Sequence, residues 1–187
     1  MLGITDLKTG TTIVYEGDPC VVISYQHSKM GRGGAVMRTK LRNLKTSALF
    51  DITFKGSDKF EEASLERHSC QYLYQEGSEY VFMDNNSFEQ FNLKAEEVGD
   101  KSRYLKEGGE FQIIFYEEKP VSVIFPIKME FEVSHTEPGV KGDTAQGGSK
   151  PATLETGATI TVPLFVKIGD IIRVNTEENS YVERANK

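Results

Sequence analysis

The stretch CVVISYQHSKMGRGGAVMRTKLRNL, Cys20 to Leu44, decides how the rest of the chain is read. Its opening residues, Cys20–Tyr25, are rich in β-branched and aromatic side chains, as in a strand. Its closing residues, Ala35–Leu44, read as a second strand. Between them lies Lys29-Met30-Gly31-Arg32-Gly33-Gly34, a glycine-rich tip that suits a hairpin, because glycine adopts positive φ without steric cost. Successive side chains of a strand point to opposite faces. Arg38, Lys40 and Arg42 therefore share one face, and Met37, Thr39 and Leu41 the other. From Pro19 to Phe50 there is no Asp or Glu, while Lys29, Arg32, Arg38, Lys40, Arg42 and Lys45 all occur. A charge run of this kind suits either a solvated face or an anion-binding surface. The one-sided alignment on the strand favours phosphate. Arg32, a long planar cation between glycines at the apex, could reach a narrow RNA-lined space and donate several hydrogen bonds to phosphates or base edges.

Outward from this hairpin the same vocabulary continues. Thr11–Tyr15 precedes it, and Ala48–Lys55 follows. Further strands are expected at Gln71–Tyr74, Glu79–Met83, Phe88–Leu93, Glu110–Tyr116, Val121–Phe125, Glu130–Thr136, Ala158–Val166, Asp170–Val174 and Tyr181–Arg184. Lys94–Tyr104 is the single helical candidate, from its Lys-Ala-Glu-Glu content. Turn chemistry sits at Glu16-Gly17-Asp18-Pro19 and Glu117-Glu118-Lys119-Pro120, and a long loop spans residues 137–149. Short strands separated by turns at regular intervals predict an all-β chain of small barrels. Shifts in composition place boundaries near residues 64 and 126, giving domains 1–64, 65–126 and 127–187.

The 187 residues carry a net charge of −6, 38% hydrophobic and 27% charged, a globular composition. The charge is unevenly spread: +2 over 1–64, −6 over 65–126 and −2 over 127–187. Bulk acidity argues against nonspecific nucleic-acid binding, so any RNA contact should be local and concentrated in the first third. No apolar run is long enough to span a bilayer, and the N-terminus lacks a secretory pattern, so a cytoplasmic protein is expected. Two scattered cysteines, Cys20 and Cys70, and three scattered histidines, His27, His68 and His135, form neither a disulfide framework nor a zinc motif. No nucleophile elbow, phosphate loop or dinucleotide fingerprint occurs, and the carboxylate pairs lie in polar surface stretches. No enzymatic activity, no cofactor and no metal are expected.

The last third supplies the most specific pattern. Within Lys150–Gly169, the residues Lys150, Ala152, Gly157, Ile160, Val162, Pro163, Val166 and Gly169 fill every fixed position of the signature of bacterial translation elongation factor P. Pro138–Thr144, Tyr80–Asp84 and Tyr181–Arg184 match the same family, so the chain resembles it over essentially its whole length. The resemblance implies a KOW/SH3-like first barrel and two OB-folds in an L-shaped, tRNA-like arrangement. It implies a monomeric factor that binds the 70S ribosome between the peptidyl and exit tRNA sites and relieves stalling at consecutive prolines. Its partners would be peptidyl-tRNA, ribosomal RNA and mRNA at the exit site, with no membrane. By position, Arg32 would approach the acceptor end of peptidyl-tRNA, within a tip formed by Lys29, Gly31, Gly33 and Gly34. Gly142, Asp143 and Thr144 match the loop that approaches the exit-site codon, and Tyr181 and Arg184 the segment facing the small subunit and tRNA. Phosphate contacts by Arg38, Lys40 and Arg42 follow from strand parity, not from a family motif.

The tip departs from the commonest family pattern. Many relatives carry a modified lysine within Pro-Gly-Lys-Gly, whereas this chain has Met30-Gly31-Arg32-Gly33. One branch has a tip arginine bearing rhamnose, but the flank Gly33-Gly34-Ala35 is similar to the lysine branch. Rhamnosylated Arg32, made by a dedicated modifying enzyme, and unmodified Arg32 both stay open. A paralogue with other stalling targets and a generic OB-fold nucleic-acid module are the alternatives. The latter would need a row of exposed aromatics on a basic barrel face.

Overall fold

The computed structural model describes residues 1–30, 34–139 and 148–185. Sixteen strands form three antiparallel sheets among these residues. The first sheet contains β1 (Leu2–Gly3), β2 (Thr12–Tyr15), β3 (Asp18–Met30), β4 (Gly34–Asn43), β5 (Leu49–Lys55) and β6 (Lys59–Glu62), in the spatial order β1-β6-β2-β3-β4-β5. The second contains β7 (Leu65–Glu76), β8 (Glu79–Asp84), β9 (Gln90–Lys94), β10 (Glu110–Tyr116) and β11 (Lys119–Ile124), in the order β11-β10-β7-β8-β9. The third contains β12 (Lys128–Thr136), β13 (Ser149–Leu154), β14 (Thr159–Pro163), β15 (Ile171–Asn175) and β16 (Ser180–Arg184), in the order β14-β13-β12-β15-β16. The edge strands β9 and β11 approach each other, as do β14 and β16, so these two sheets curl toward closure. The all-β, barrel-like expectation is met.

The helical expectation at 94–104 resolves into one turn of α-helix, α1 (Ala95–Val98), followed by 3-10 turns over Gly99–Tyr104. Glu97 accepts the Lys94 backbone N–H at 2.7 Å, capping the start. Gly99, at φ +74, ends the α-helical turn in a conformation costly for any other residue.

The described chain divides into two compact units, Met1–Gly99 with Gln112–Ile124, and Asp100–Phe111 with Phe125–Lys187. Residue 64 separates the first two sheets, yet packing joins them. Leu44, just beyond β4, shares a buried cluster with Ile114 and Val121 of the second sheet, with Val21 and Leu65 packed against it. The first sheet also has its own core of Ile4, Leu7, Ile13, Cys20, Val22, Met37, Leu41, Phe54 and Phe60. In the second sheet an aromatic series runs from Tyr72 to Phe82 (5.3 Å between centroids), Phe91 (6.1 Å) and Phe115 (5.3 Å). In the other unit, residues 100–111 join the third sheet because their aromatics are buried there. Tyr104 packs on Phe131 at 5.6 Å, its hydroxyl donates to Asn179, and Phe111 meets Phe125 at 5.4 Å. Lys106 pairs with Glu155 at 2.8 Å on the same unit.

Cys20 and Cys70 are both free and fully buried. Burial raises their thiols to about 11 and about 12, so both stay protonated at neutral pH. No helix among the described residues is long and apolar enough to cross a membrane.

Candidate nucleic-acid interface

β3 and β4 form a long antiparallel hairpin paired from Cys20↔Asn43 to Met30↔Gly34, its register shifted by a bulge between Val22 and Ser24. β3 extends five residues past the expected Tyr25. Gln26, His27 and Ser28 are polar and exposed, so nothing in their hydropathy marks a strand, and pairing with β4 holds them extended. Residues 31–33, including Gly31, Arg32 and Gly33, lie outside the described residues. Lys29 and Gly34 belong to the paired strands that flank them, Lys29 opposite Ala35 and Gly34 opposite Met30.

The alternation expected on β4 is present. Met37, Thr39 and Leu41 are fully buried, Arg38 and Arg42 are exposed, and Lys40 is half-buried. Gln26 and Ser24 stand beside Arg38 and Lys40 on β3, and Thr53, Asp51 and Leu49 stand beside Arg38, Lys40 and Arg42 on β5. Asp51 is the acidic neighbour within this row, and among the described residues it forms no ion pair with Lys40 at 4 Å or less. The structure thus brings three cations together on one solvent-facing strand surface.

Lys45 is different. Its ammonium donates to Asp18 at 2.7 Å, and Asn43 donates to the same carboxylate at 2.9 Å. These two contacts hold the Asp18 carboxyl below its usual range. Asp18 lies one residue before the anion-free run, so a reading confined to that run misses its pairing with Lys45. Asn43 also accepts the Lys45 and Thr46 backbone N–H groups at 2.8 and 3.1 Å, turning the chain out of β4.

The C-terminal residues assemble separately. On β16, Arg184 lies over the Phe165 ring at 5.9 Å and pairs with Asp170 at 3.7 Å, while Tyr181 meets Phe165 edge-on at 6.5 Å. Tyr181 is partly desolvated, which raises its phenol above the ordinary value. Phe165 is 57% exposed and belongs to the same cluster, a partner that sequence reasoning did not single out. Its signal was available: an aromatic next to Pro163-Leu164, just past the end of β14. Gly142, Asp143 and Thr144 lie outside the described residues. The chain on either side of them, at Gly139 and Gly148, borders an open groove with Leu164, Phe165 and Tyr181.

A titratable group without an assigned role stands on the second sheet. The His68 ring packs on Phe115 at 4.5 Å with a tilt of 31°, and its Nδ1–H donates to Asp84 at 2.5 Å. Asp84 is buried and also accepts the Asn86 and Ser87 backbone N–H groups at 2.7 and 3.1 Å. The Asn86 N–H leads in holding the Asp84 carboxyl low, and Asp84 in turn raises His68.

Three family models match in succession: the KOW-like domain of elongation factor P over residues 4–60, its OB domain over 65–123, and its C-terminal domain over 129–184. Curated proteins named elongation factor P are similar end to end. The one from Pelotomaculum thermopropionicum is 45% identical over 98% of this chain and 100% of its own length. That from Dictyoglomus turgidum is 46% identical over 99% and 100%, and that from Prochlorococcus marinus 44% over 100% of each. Among solved structures, eukaryotic translation initiation factor 5A from Methanococcus jannaschii is similar with a TM-score of 0.54 and 25% identity, over 66% of this chain and 92% of that one. With its three-sheet architecture and full-length identity to these relatives, the chain belongs to the elongation factor P family of translation elongation factors.

Proposed function

We propose that this elongation factor binds the 70S ribosome between the peptidyl and exit tRNA sites and promotes peptide-bond formation where consecutive prolines stall it. The observation that carries the reading is the β3–β4 hairpin, with Arg38, Lys40 and Arg42 on one exposed face and paired ends flanking Arg32. Phosphate contacts along the hairpin would set its register on RNA, and Arg32 would approach the acceptor end of peptidyl-tRNA. Proline restricts its own backbone, so a poorly oriented peptidyl-tRNA gains most from being held. The factor would supply orientation, and the ribosome the chemistry.

In this reading the chain acts as three modules, 1–64, 65–126 and 127–187, and works as a monomer. Gly142, Asp143 and Thr144 approach the exit-site codon. Tyr181 and Arg184, clustered with Phe165, face the small subunit and tRNA. Arg32 functions either bare or rhamnosylated by a modifying enzyme.

The test is synthesis of a peptide with three consecutive prolines in a purified translation system. Recombinant protein, shown by intact mass to be unmodified, is compared with Arg32→Ala. Stall relief by the first and not the second supports the reading with a bare arginine. Relief only by protein from the native host assigns a required modification. Absence of relief from either source refutes polyproline rescue.

A further inference from the structure

Away from the hairpin, the second sheet opens into a cavity. Cys70 on β7, Phe82 on β8, Leu93 on β9 and Ile113 on β10 are fully buried. Period two carries each of these inward rows one step further, to His68, Asp84, Phe91 and Phe115. The four line a cavity of about 460 Å³ at the mouth of the curled sheet, a place and a size common to ligand sites. Its floor is aromatic: Phe91 meets Phe115 edge-on at 5.3 Å, and the His68 ring packs on Phe115. Asp84 is committed within the fold, to His68 and to the Asn86 and Ser87 N–H groups.

The rim is negative. Glu66, two residues before His68, and Glu89 and Glu118, from the turns before β9 and β11, stand exposed around the opening. Glu66 lies 3.4 Å from His68 Nε2, whereas among the described residues Glu89 and Glu118 have no cation within 4 Å. An aromatic floor under unpaired carboxylates suits a planar, weakly hydrated cation that stacks on rings and donates to carboxylates, which is a guanidinium. The same charge repels phosphate, so RNA is a poor occupant. Two features favour a protein segment as the source. The cleft continues past Glu66, Phe115 and Glu118 into a second lobe lined by Glu61, Glu62 and Tyr116, so an extended chain fits along it. Beside the rim, between Ser87 and Glu89, Phe88 is 70% exposed and offers an apolar contact outside the cavity. A protein segment uses both, whereas a free polyamine leaves the aromatic uncovered.

We propose that the mouth of the second barrel is a docking site for an arginine side chain of a basic protein segment, its guanidinium lying against Phe91 and Phe115 and donating to Glu89 and Glu118. One compact unit then presents two surfaces of opposite charge, the cationic row on β4 and this anionic cleft. They recognise different chemistry, so either can be removed without the other.

The test is an NMR titration of the full-length factor at low salt with the blocked tripeptide acetyl-Gly-Arg-Gly-amide, which reads the cleft without the ribosome. Saturable shifts are expected in the ring protons of Phe91, Phe115 and His68 across the millimolar range. The lysine tripeptide should bind more weakly, because an ammonium does not stack, and the citrulline tripeptide, equal in shape but uncharged, should not saturate. Glu89→Gln with Glu118→Gln should weaken the arginine peptide by about tenfold, the scale of two exposed charge pairs. Phe115→Leu should weaken it by about two- to fivefold through the lost ring face. His68 adds an independent readout. Glu66, Asp84, Glu89 and Glu118 face it, and a bound cation among them favours the neutral imidazole, so His68 should titrate at lower pH when the peptide is bound, with His27 and His135 unmoved. Absence of saturable ring shifts, equal binding of the citrulline peptide, or native affinity in the Glu89/Glu118 pair would each overturn the proposal. Spermidine is the competing free cation: if it displaces the peptide at concentrations below the peptide's own Kd, the cleft takes small polyamines and the protein partner falls. Glu89 and Glu118 lie on the surface, so that pair decides the matter alone if Phe115→Leu does not fold.

Discussion

Removing the charge row on β4 gives a quantity that the structure sets in advance. The perturbation is Arg38→Gln, Lys40→Gln and Arg42→Gln together, three solvent-facing changes that leave Met37, Thr39 and Leu41 in the core. Each side chain stands two residues from the next, a repeat of about 6.7 Å along a strand, so the row spans about 13 Å. Among the described residues none of the three is engaged by a carboxylate, so each is free to displace a counterion from RNA. A cation–phosphate contact contributes a slope of about 0.7 to 0.9 to the dependence of log affinity on log salt. Losing three should flatten that slope by about 2 to 3. Between 50 and 200 mM salt, the native factor should then lose about 20- to 40-fold more ribosome affinity than the triple variant. The assay is ribosome binding at fixed magnesium across a salt series, with thermal unfolding as a check on the fold. Lys45→Gln is the internal control. That ammonium is already committed to Asp18, so its removal should shift the slope by less than one. A triple variant with the native slope would refute the placement of phosphates on this face.

Two further predictions concern the second sheet. His68 is raised by Asp84 above its ordinary 6.5, so the stability it contributes is complete below pH 6.5 and is lost as pH rises through its folded value. Asp84 is lowered, so its contribution is lost instead as pH falls through its own depressed value. Thermal unfolding of native protein and His68→Ala should therefore differ more near pH 5.5 than near pH 9, and an equal gap at both would contradict the pairing. In the β10–β11 turn, Glu117 and Glu118 both hold positive φ, at 48° and 63°. Replacing them by Asn and Gly, which accept that conformation readily, should stabilise the protein by about 1 kcal/mol in denaturant unfolding. A loss of stability would count against this turn geometry.

Where the sequence was legible, it was so because side-chain chemistry and backbone state agree. β4, β5, β8 and β10 alternate or carry β-branched and aromatic residues, and all fall within a residue or two of expectation. β13 was invisible for a physical reason. Pro151 removes a backbone donor and Lys150 puts a charge at an inward position, so neither the proline rule nor hydropathy points to a strand. Yet β13 is interior to its sheet, pairing with β12 and β14. β6 escaped because two of its four residues are glutamates, and its pairing with β1 and β2 is a long-range fact. The turn at Glu117 was expected to include Lys119 and Pro120, whereas these open β11 and tighten the turn to two residues. At the candidate interface, the row on β4 followed from period two alone. The neutralisation of Lys45 by Asp18, and the meeting of Phe165 with Tyr181 and Arg184, depend on residues distant in sequence.

The two buried thiols turn the molecule into its own clock. Cys20 lies in the core of the first sheet and Cys70 in the second, both within one compact unit. Neither can meet an alkylating reagent until the surrounding backbone opens, so each rate of alkylation reports a local opening free energy. If the cluster of Leu44, Ile114 and Val121 welds the two sheets into one cooperative block, the thiols will react in step. If the sheets breathe apart, Cys20 and Cys70 will keep different time. Mass spectrometry of the singly alkylated species would then show which barrel yields first as the factor is strained.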